Sequence, residues 1–229
     1  MEPTLVLLPG LDGTGDLFAP LLAALRPDVP TAVVRYPDEP LDYAACEVIA
    51  RAALPQNRPY VVLGESFSGP IAVAIAARAP PGLLGCILCA SFVTSPRAIL
   101  RVIKPLLHVF PPQWIPQAVA AHFLMGRFAS PELRGLHTRV LRRVSPKTLA
   151  SRLEAIANVD LRALLDRIRV PTLYLRATED RLVPRSAAAP FARLASGARV
   201  VEIEGPHFLL QANPVAAARV IRDFVREVA

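Results

Sequence analysis

Cysteine is scarce: Cys46, Cys86 and Cys89 are the only three among 229 residues. An odd count without paired spacing speaks against a disulfide framework and against a cysteine-rich zinc site, and fits a reducing compartment. Cys86 and Cys89 do form a C-x-x-C, but inside the apolar run Gly85-Cys-Ile-Leu-Cys-Ala. Strand alternation sends them to opposite faces, as buried filler rather than a redox pair. A long uninterrupted apolar run is also lacking. The first ten residues have no basic n-region and are broken by Pro9 and Gly10, so no signal peptide is expected. The stretch 70–93 is interrupted by Arg78, Pro80, Pro81 and Gly82, which rules it out as a membrane span of about 20 residues. A soluble, cytoplasmic protein is the expectation. Aromatics are few, at 6%, and do not interleave the basic residues, so nucleic acid is not an expected partner. No internal repeat or low-complexity linker occurs. With 53% hydrophobic residues the chain has enough apolar material for one large core.

The net charge of +7 is unevenly spread. Residues 92–170 hold 13 Lys/Arg against 4 Asp/Glu, an excess of nine that leaves the rest of the chain slightly acidic. Two readings stay open: a solvated helical surface, or attraction of an acidic partner or anionic substrate.

Short β-branched or leucine-rich runs recur at residues 5–8, 31–36, 60–64, 85–91, 171–177 and 199–203, with helix-length segments between most of them. They read as six buried strands. Strands joined through helices require crossovers, so the fold class is α/β: a mainly parallel sheet of about six strands with helices on both faces. Ligands then bind at the carboxyl ends of the strands. The alternation stops between 95 and 168, where amphipathic stretches at 97–110 and 117–127 are punctuated by prolines 105, 111, 112, 116, 131 and 146. That segment reads as an inserted helical lid (95–168) on a core made of 1–94 and 169–229. A final helix is expected over 214–228.

The sequence Gly64-Glu-Ser66-Phe-Ser68-Gly69 joins a strand to an alanine-rich helix. A nucleophilic serine needs a sharp turn that lifts its Oγ above the sheet, and small residues two positions to either side let strand and helix approach. Gly64 and Ser68 fill those positions, Ser68 where glycine is usual. The bare motif is common by chance, and the bland alternative is an ordinary strand-to-helix turn.

A serine hydroxyl is a weak nucleophile until a base takes its proton. Of four histidines, His207 lies in a loop after the last strand and before the final helix, at the same sheet edge as Ser66. His108, His122 and His137 fall in the helical insertion and read as surface or packing residues. The base needs a carboxylate to hold its tautomer. Asp180, just after the fifth strand, meets that requirement, with Glu179 the nearest competitor. The chain order is Ser66, Asp180, His207. Acyl transfer also needs donors for a developing oxyanion. The backbone amide of Phe67 is one candidate, and that of Leu11, in the glycine-bearing loop Leu8-Pro-Gly-Leu-Asp-Gly-Thr-Gly15, is the other. The same loop makes a poor phosphate cradle, because it lacks the lysine and the spacing of nucleotide-binding loops. No cofactor or metal is called for.

Taken in order, Leu8 to Gly15, Gly64 to Gly69, Asp180-Arg-Leu-Val-Pro184 and Gly205-Pro-His207-Phe-Leu209 resemble the α/β-hydrolase superfamily. The likeness is to its small, capped serine esterases, which include carboxylesterases and pimeloyl-carrier-protein methyl ester esterases. It extends over nearly the whole chain. Two departures stand out: Pro9 occupies a position where many members carry histidine, and the chain starts almost at the family's third strand. The resemblance implies hydrolysis of a small-molecule carboxylic ester through an acyl-serine on Ser66, with His207 as base and Asp180 orienting it. A thioesterase or acyltransferase acting on groups attached to an acidic acyl carrier protein is the alternative, and a non-catalytic binding protein of the same fold is the third. Acyl chain length and oligomeric state are left open.

Overall fold

A computed structural model describes residues 2–96, 115–191 and 198–229. Strands β1 (Thr4–Leu8), β2 (Thr31–Val33), β3 (Tyr60–Glu65), β4 (Leu83–Cys89), β5 (Thr172–Ala177) and β6 (Ala198–Ile203) form one sheet in the order β2-β1-β3-β4-β5-β6. All five pairings are parallel. The six expected strands are therefore present, with ends displaced by one to three residues. The second is the shortest: it stops at Val33, and Tyr36 turns to donate its amide to the Gly13 carbonyl at 2.8 Å.

Parallel strands buried on both faces must be apolar at successive positions, and these are. Val6, Leu8, Val62, Cys86, Leu88 and Tyr174 face one layer of the core. Leu5, Leu7, Val61, Leu63, Ile87 and Cys89 face the other. Cys86 and Cys89 thus sit on opposite faces, fully buried and free. Each fully buried leucine or valine of this kind contributes about 1.5–3 kcal/mol over its exposed state.

The helices follow from caps and periodicity. Helix α1 spans Ala19–Leu25. In α2 (Tyr43–Ala52) the Asp42 side chain accepts from the Ala45 amide at 2.8 Å. Helix α3 (Gly69–Arg78) is buried along most of its length. Between β4 and β5 the described residues form α4 (Gln117–Leu124), α5 (Pro131–Leu141), α6 (Pro146–Asn158) and α7 (Arg162–Leu165). Pro131 and Pro146 open their helices, where a missing amide costs nothing, and Ser130 and Ser145 cap them. The amphipathic stretch expected at 97–110, with His108 and prolines 105, 111 and 112, lies outside the described residues. After β6 come α8 (Leu209–Ala212) and α9 (Pro214–Val228), the latter over the expected range. Ala217, Ala218, Ile221, Phe224 and Val225 make the buried stripe of α9. No helix of the described residues is long and apolar enough to cross a membrane.

The strand order decides where a ligand can sit. From β1 the chain goes to one side for β2, then to the other for β3. The crevice at that reversal, beyond the carboxyl ends of β1 and β3, is where open parallel sheets bind ligands. The loop of residues 9–15 and the turn holding Ser66 both open onto it.

Candidate active site

Ser66 follows β3 directly, in a 3-10 turn of residues 66–68 that leads into α3. Its φ of 46° lies in the left-handed region, a strained conformation for serine of the kind that holds a side chain at a functional site. The packing around it is close. A Cβ on Gly64 would stand 2.5 Å from the Ser68 carbonyl oxygen and 2.8 Å from the Ala72 Cβ, and one on Gly69 would overlap the Ser91 hydroxyl. Ser91 Oγ donates to the Ser66 carbonyl at 2.6 Å and holds the turn from the far side.

Ser66 Oγ lies 2.9 Å from His207 Nε2, and His207 Nδ1 lies 2.9 Å from Asp180 Oδ2. With Nδ1–H donating to the carboxylate, Nε2 is left to accept the serine proton. The sequence places these residues 141 and 27 positions apart, and β3, β5 and β6 bring them together. The other Asp180 oxygen accepts the amides of Leu182 and Val183, both at 2.8 Å. The loops bearing Asp180 and His207 are bound to each other by Thr178 N to Ile203 O at 3.0 Å and Glu179 N to Gly205 O at 2.9 Å. Glu179, the competing carboxylate, instead pairs with Arg127.

Burial alone would raise the Asp180 pKa, but the neighbouring His207 and its hydrogen bond, with the two loop amides, bring it below the usual carboxylate value. Burial alone would likewise lower His207; the Asp180 charge and hydrogen bond, then the Glu65 charge, outweigh it and leave the ring more basic than an ordinary histidine. Glu65, beside the nucleophile and buried, is pushed up to about 7 by desolvation, although Gln211 Nε2 donates to it at 2.9 Å.

Leu11 and Phe67, the expected oxyanion donors, flank the serine from two elements. Phe67 is in the first turn of its helix, so its amide has no intrahelical carbonyl to meet. Leu11 lies in a turn closed by Gly13 N to Gly10 O at 3.0 Å. Ser68 ties the two together: its hydroxyl donates to the Pro9 carbonyl and lies 3.1 Å from Tyr36 Oη.

Above Ser66 is a cavity of about 550 Å³, lined among the described residues by Leu11, Phe92, Phe123, Leu149, Leu153 and Val183 together with His207. An apolar chain fits such walls. Of the remaining histidines, His122 is exposed against Arg181, and His137 packs edge-on to Phe208 at the cavity wall. No metal-binding group of His, Cys, Asp or Glu occurs among the described residues.

Several residues around the site carried no sequence signal. Ser91 follows the apolar strand β4, Gln211 sits in a short helix, and Arg152 lies in a helical stretch whose basic excess reads as surface. Arg152 is instead fully buried, against the loop that holds Leu11.

Residues 42–205 match the family described as serine aminopeptidase, S33. The pimeloyl-[acyl-carrier protein] methyl ester esterase of Xanthomonas oryzae pv. oryzae is 30% identical over an alignment of 246 positions, covering 99% of this chain and 96% of that protein. The biotin biosynthesis bifunctional protein BioHC of Cellvibrio japonicus is 29% identical, and the chain spans about half its length, 48%. Among solved structures, a hydrolase from Oleispira antarctica superposes with a TM-score of 0.84 at 17% identity, over 99% of this chain and 92% of that one. A bromoperoxidase from Bacillus anthracis gives 0.85 at 16%, with the same coverage. At those identities the superpositions speak for the fold alone. The fold, the matched region and the near-full-length esterase relatives agree: the chain belongs to the serine aminopeptidase S33 family of α/β-hydrolases, as an esterase-type member.

Proposed function

We propose that the protein hydrolyses carboxylic esters through an acyl-serine on Ser66, with His207 as general base, Asp180 as its orienting carboxylate, and the amides of Leu11 and Phe67 receiving the oxyanion. The observation that carries this reading is the pair of 2.9 Å contacts from Ser66 Oγ to His207 and from His207 to Asp180, at the floor of an apolar cavity. In the first step Ser66 Oγ bonds to the ester carbonyl carbon while its proton passes to His207 Nε2. The carbonyl electrons move onto oxygen, where the two amides stabilise them, each worth about 3 kcal/mol in comparable sites. The tetrahedral adduct expels the alcohol, which takes the proton back from His207. Water, deprotonated by the same nitrogen, then releases the acid and restores Ser66.

In this reading the insertion, through its described residues 115–168, acts as a lid over the carboxyl edge of the sheet. Its support is that α4 supplies Phe123, α5 supplies Val140 and Leu141, and α6 supplies Leu149 and Leu153 to the cavity wall. Hydrolysis of p-nitrophenyl esters from acetate to palmitate by the wild type and by Ser66→Ala tests the proposal. Turnover by the wild type with at least a thousandfold loss in the variant is the expected result, and the chain-length optimum sizes the cavity. Activity that survives Ser66→Ala overturns it, and a wild type that neither turns over the esters nor reacts with a fluorophosphonate probe points to a binding protein.

A carrier-bound acyl substrate is the second reading. It is favoured by the names of the relatives and by the exposed Arg134, Arg139, Arg142, Arg143 and Lys147 on and beside α5. Arg139→Glu with Arg142→Glu slows hydrolysis of an ester on an acidic carrier and spares a small neutral ester if this is right; equal effects sink it.

A further inference from the structure

We infer that Arg152 is a positioning residue for ester hydrolysis: from helix α6 it holds the loop of residues 10–13 in the orientation that aims the Leu11 amide at the oxyanion. The inference rests on the ester-hydrolysis reading above. Arg152 has no exposed surface. A guanidinium so buried is costly to desolvate, and acceptors offset that cost at its two terminal nitrogens, while its Nε has none among the described residues. Its hydrogen bonds go to main-chain carbonyls: Nη1 to Leu11 O at 2.9 Å and to Asp12 O at 2.7 Å, and Nη2 to Pro37 O at 2.9 Å. The residue 140 positions away in sequence is thus bonded to two successive peptides of the loop after β1.

The peptide unit is planar, so each carbonyl that is pinned pins the amide of the next residue as well. Fixing the Leu11 and Asp12 carbonyls sets the torsions of Leu11 on its C-terminal side, while Gly13 N to Gly10 O closes the turn on the other. The direction of the Leu11 N–H is what remains, and it is determined by both. The loop is shaped to receive the guanidinium: a Cβ on Gly13, whose φ is 72°, would lie 2.4 Å from Arg152 Nη1 and 2.7 Å from Cζ. The Tyr36 ring covers the group, with Cζ 5.9 Å from its centroid.

Helix α6 is anchored so that it can serve as this brace. The Ser145 amide donates to Asp38 at 2.8 Å, and Arg143, just before it, bonds Asp16 at 2.6 Å. Both acceptors lie in the loops after β1 and β2. Leu149 and Leu153 of the same helix line the cavity. One helix therefore supplies wall to the acyl pocket and a clamp to the oxyanion loop. An oxyanion donor acts only if it is in place before charge develops, and removing one costs about 10²–10³ in kcat in comparable enzymes.

The test measures kcat and KM for p-nitrophenyl butyrate with Arg152→Met, Arg152→Lys and Ser66→Ala, with the folded fraction taken from circular dichroism. Arg152→Met is expected to lose about 10- to 100-fold in kcat per folded molecule, with KM within about threefold of wild type. Arg152→Lys, which keeps a charge able to meet one or both loop carbonyls, recovers part of that loss and carries the test if the methionine variant does not fold. A lower melting temperature with unchanged kcat per folded molecule makes Arg152 merely structural and overturns the inference, as does a rise in KM at constant kcat. If Ser66→Ala is inactive while the Arg152 variants keep full kcat, this inference alone fails. If Ser66→Ala remains active, the reading beneath it fails and takes it along.

Discussion

The hydroxyl of Ser68 donates its hydrogen bond to the carbonyl of Pro9, so the two residues that depart from the family's usual pattern are in contact with each other. Ser68 stands where glycine is usual after the nucleophile, and Pro9 where histidine is common. The contact joins the turn that carries Ser66 to the loop that carries Leu11, and Tyr36 Oη, 3.1 Å from Ser68 Oγ, completes it. Ser68→Ala should leave the buried Pro9 carbonyl without its donor, at a cost of about 1–3 kcal/mol that appears as a lower urea midpoint, with a fall in kcat. A variant as stable and as active as wild type would show the contact to be incidental.

Asp180 and Glu179 are adjacent carboxylates with opposite surroundings. Asp180→Asn keeps the shape but cannot hold His207 in the tautomer that accepts at Nε2; kcat is expected to fall about 10³- to 10⁴-fold with the fold intact. Glu179→Gln loses only its exposed pairing with Arg127 and should stay within about threefold of wild type. Steady-state kinetics on both variants decides which carboxylate serves the base.

Gly64→Ala places its methyl against main chain rather than a yielding side-chain tip. Strand β3 and helix α3 must then separate, at a cost of about 1–3 kcal/mol or more. Ser66 moves with them, and a displacement near 1 Å costs about 10²-fold in rate. Gly135→Ala in α5 meets only the flexible end of Arg139, at 3.2 Å, and should leave the melting temperature equal or slightly raised.

Glu65 gives a pH dependence of known sign. Its folded-state pKa, raised from 4.5 to about 7 by burial, means that the native state holds this proton more tightly than the unfolded chain. Wild-type stability from this group is greatest below pH 4.5 and declines as pH rises through 7, by an amount on the order of 3 kcal/mol at most. Glu65→Gln removes that decline while an amide oxygen still accepts from Gln211, so its advantage over wild type should grow from pH 5 to pH 8 in denaturant titrations. The same charge helps raise His207. Because the neutral ring is the base, kcat/KM rises with pH through the His207 pKa. The acid limb should lie above the ordinary histidine range in wild type and move to lower pH in Glu65→Gln. An unmoved limb would separate Glu65 from the site's electrostatics.

Much of this architecture is written locally. Strands such as Tyr60–Glu65 are apolar at successive positions because both faces are covered, and that pattern survives in any short window of sequence. The helix Pro214–Val228 announces itself by its first proline and its stripe. The serine turn is legible because close packing of β3 on α3 admits only small residues at 64 and 69. What local sequence could not decide is which distant groups meet. An arginine on a basic helix reads the same whether it faces water or, as Arg152 does, fills a hollow at Gly13 some 140 residues away. Ser91, Gln211 and Tyr36 owe their contacts with the elbow and its neighbours to the order of the strands, not to their neighbours in the chain. The sequence by itself determined the elements and the candidates Ser66, Asp180 and His207. Only the tertiary structure decided their distances and the residues that brace them, because those depend on long-range packing that has no period in the sequence.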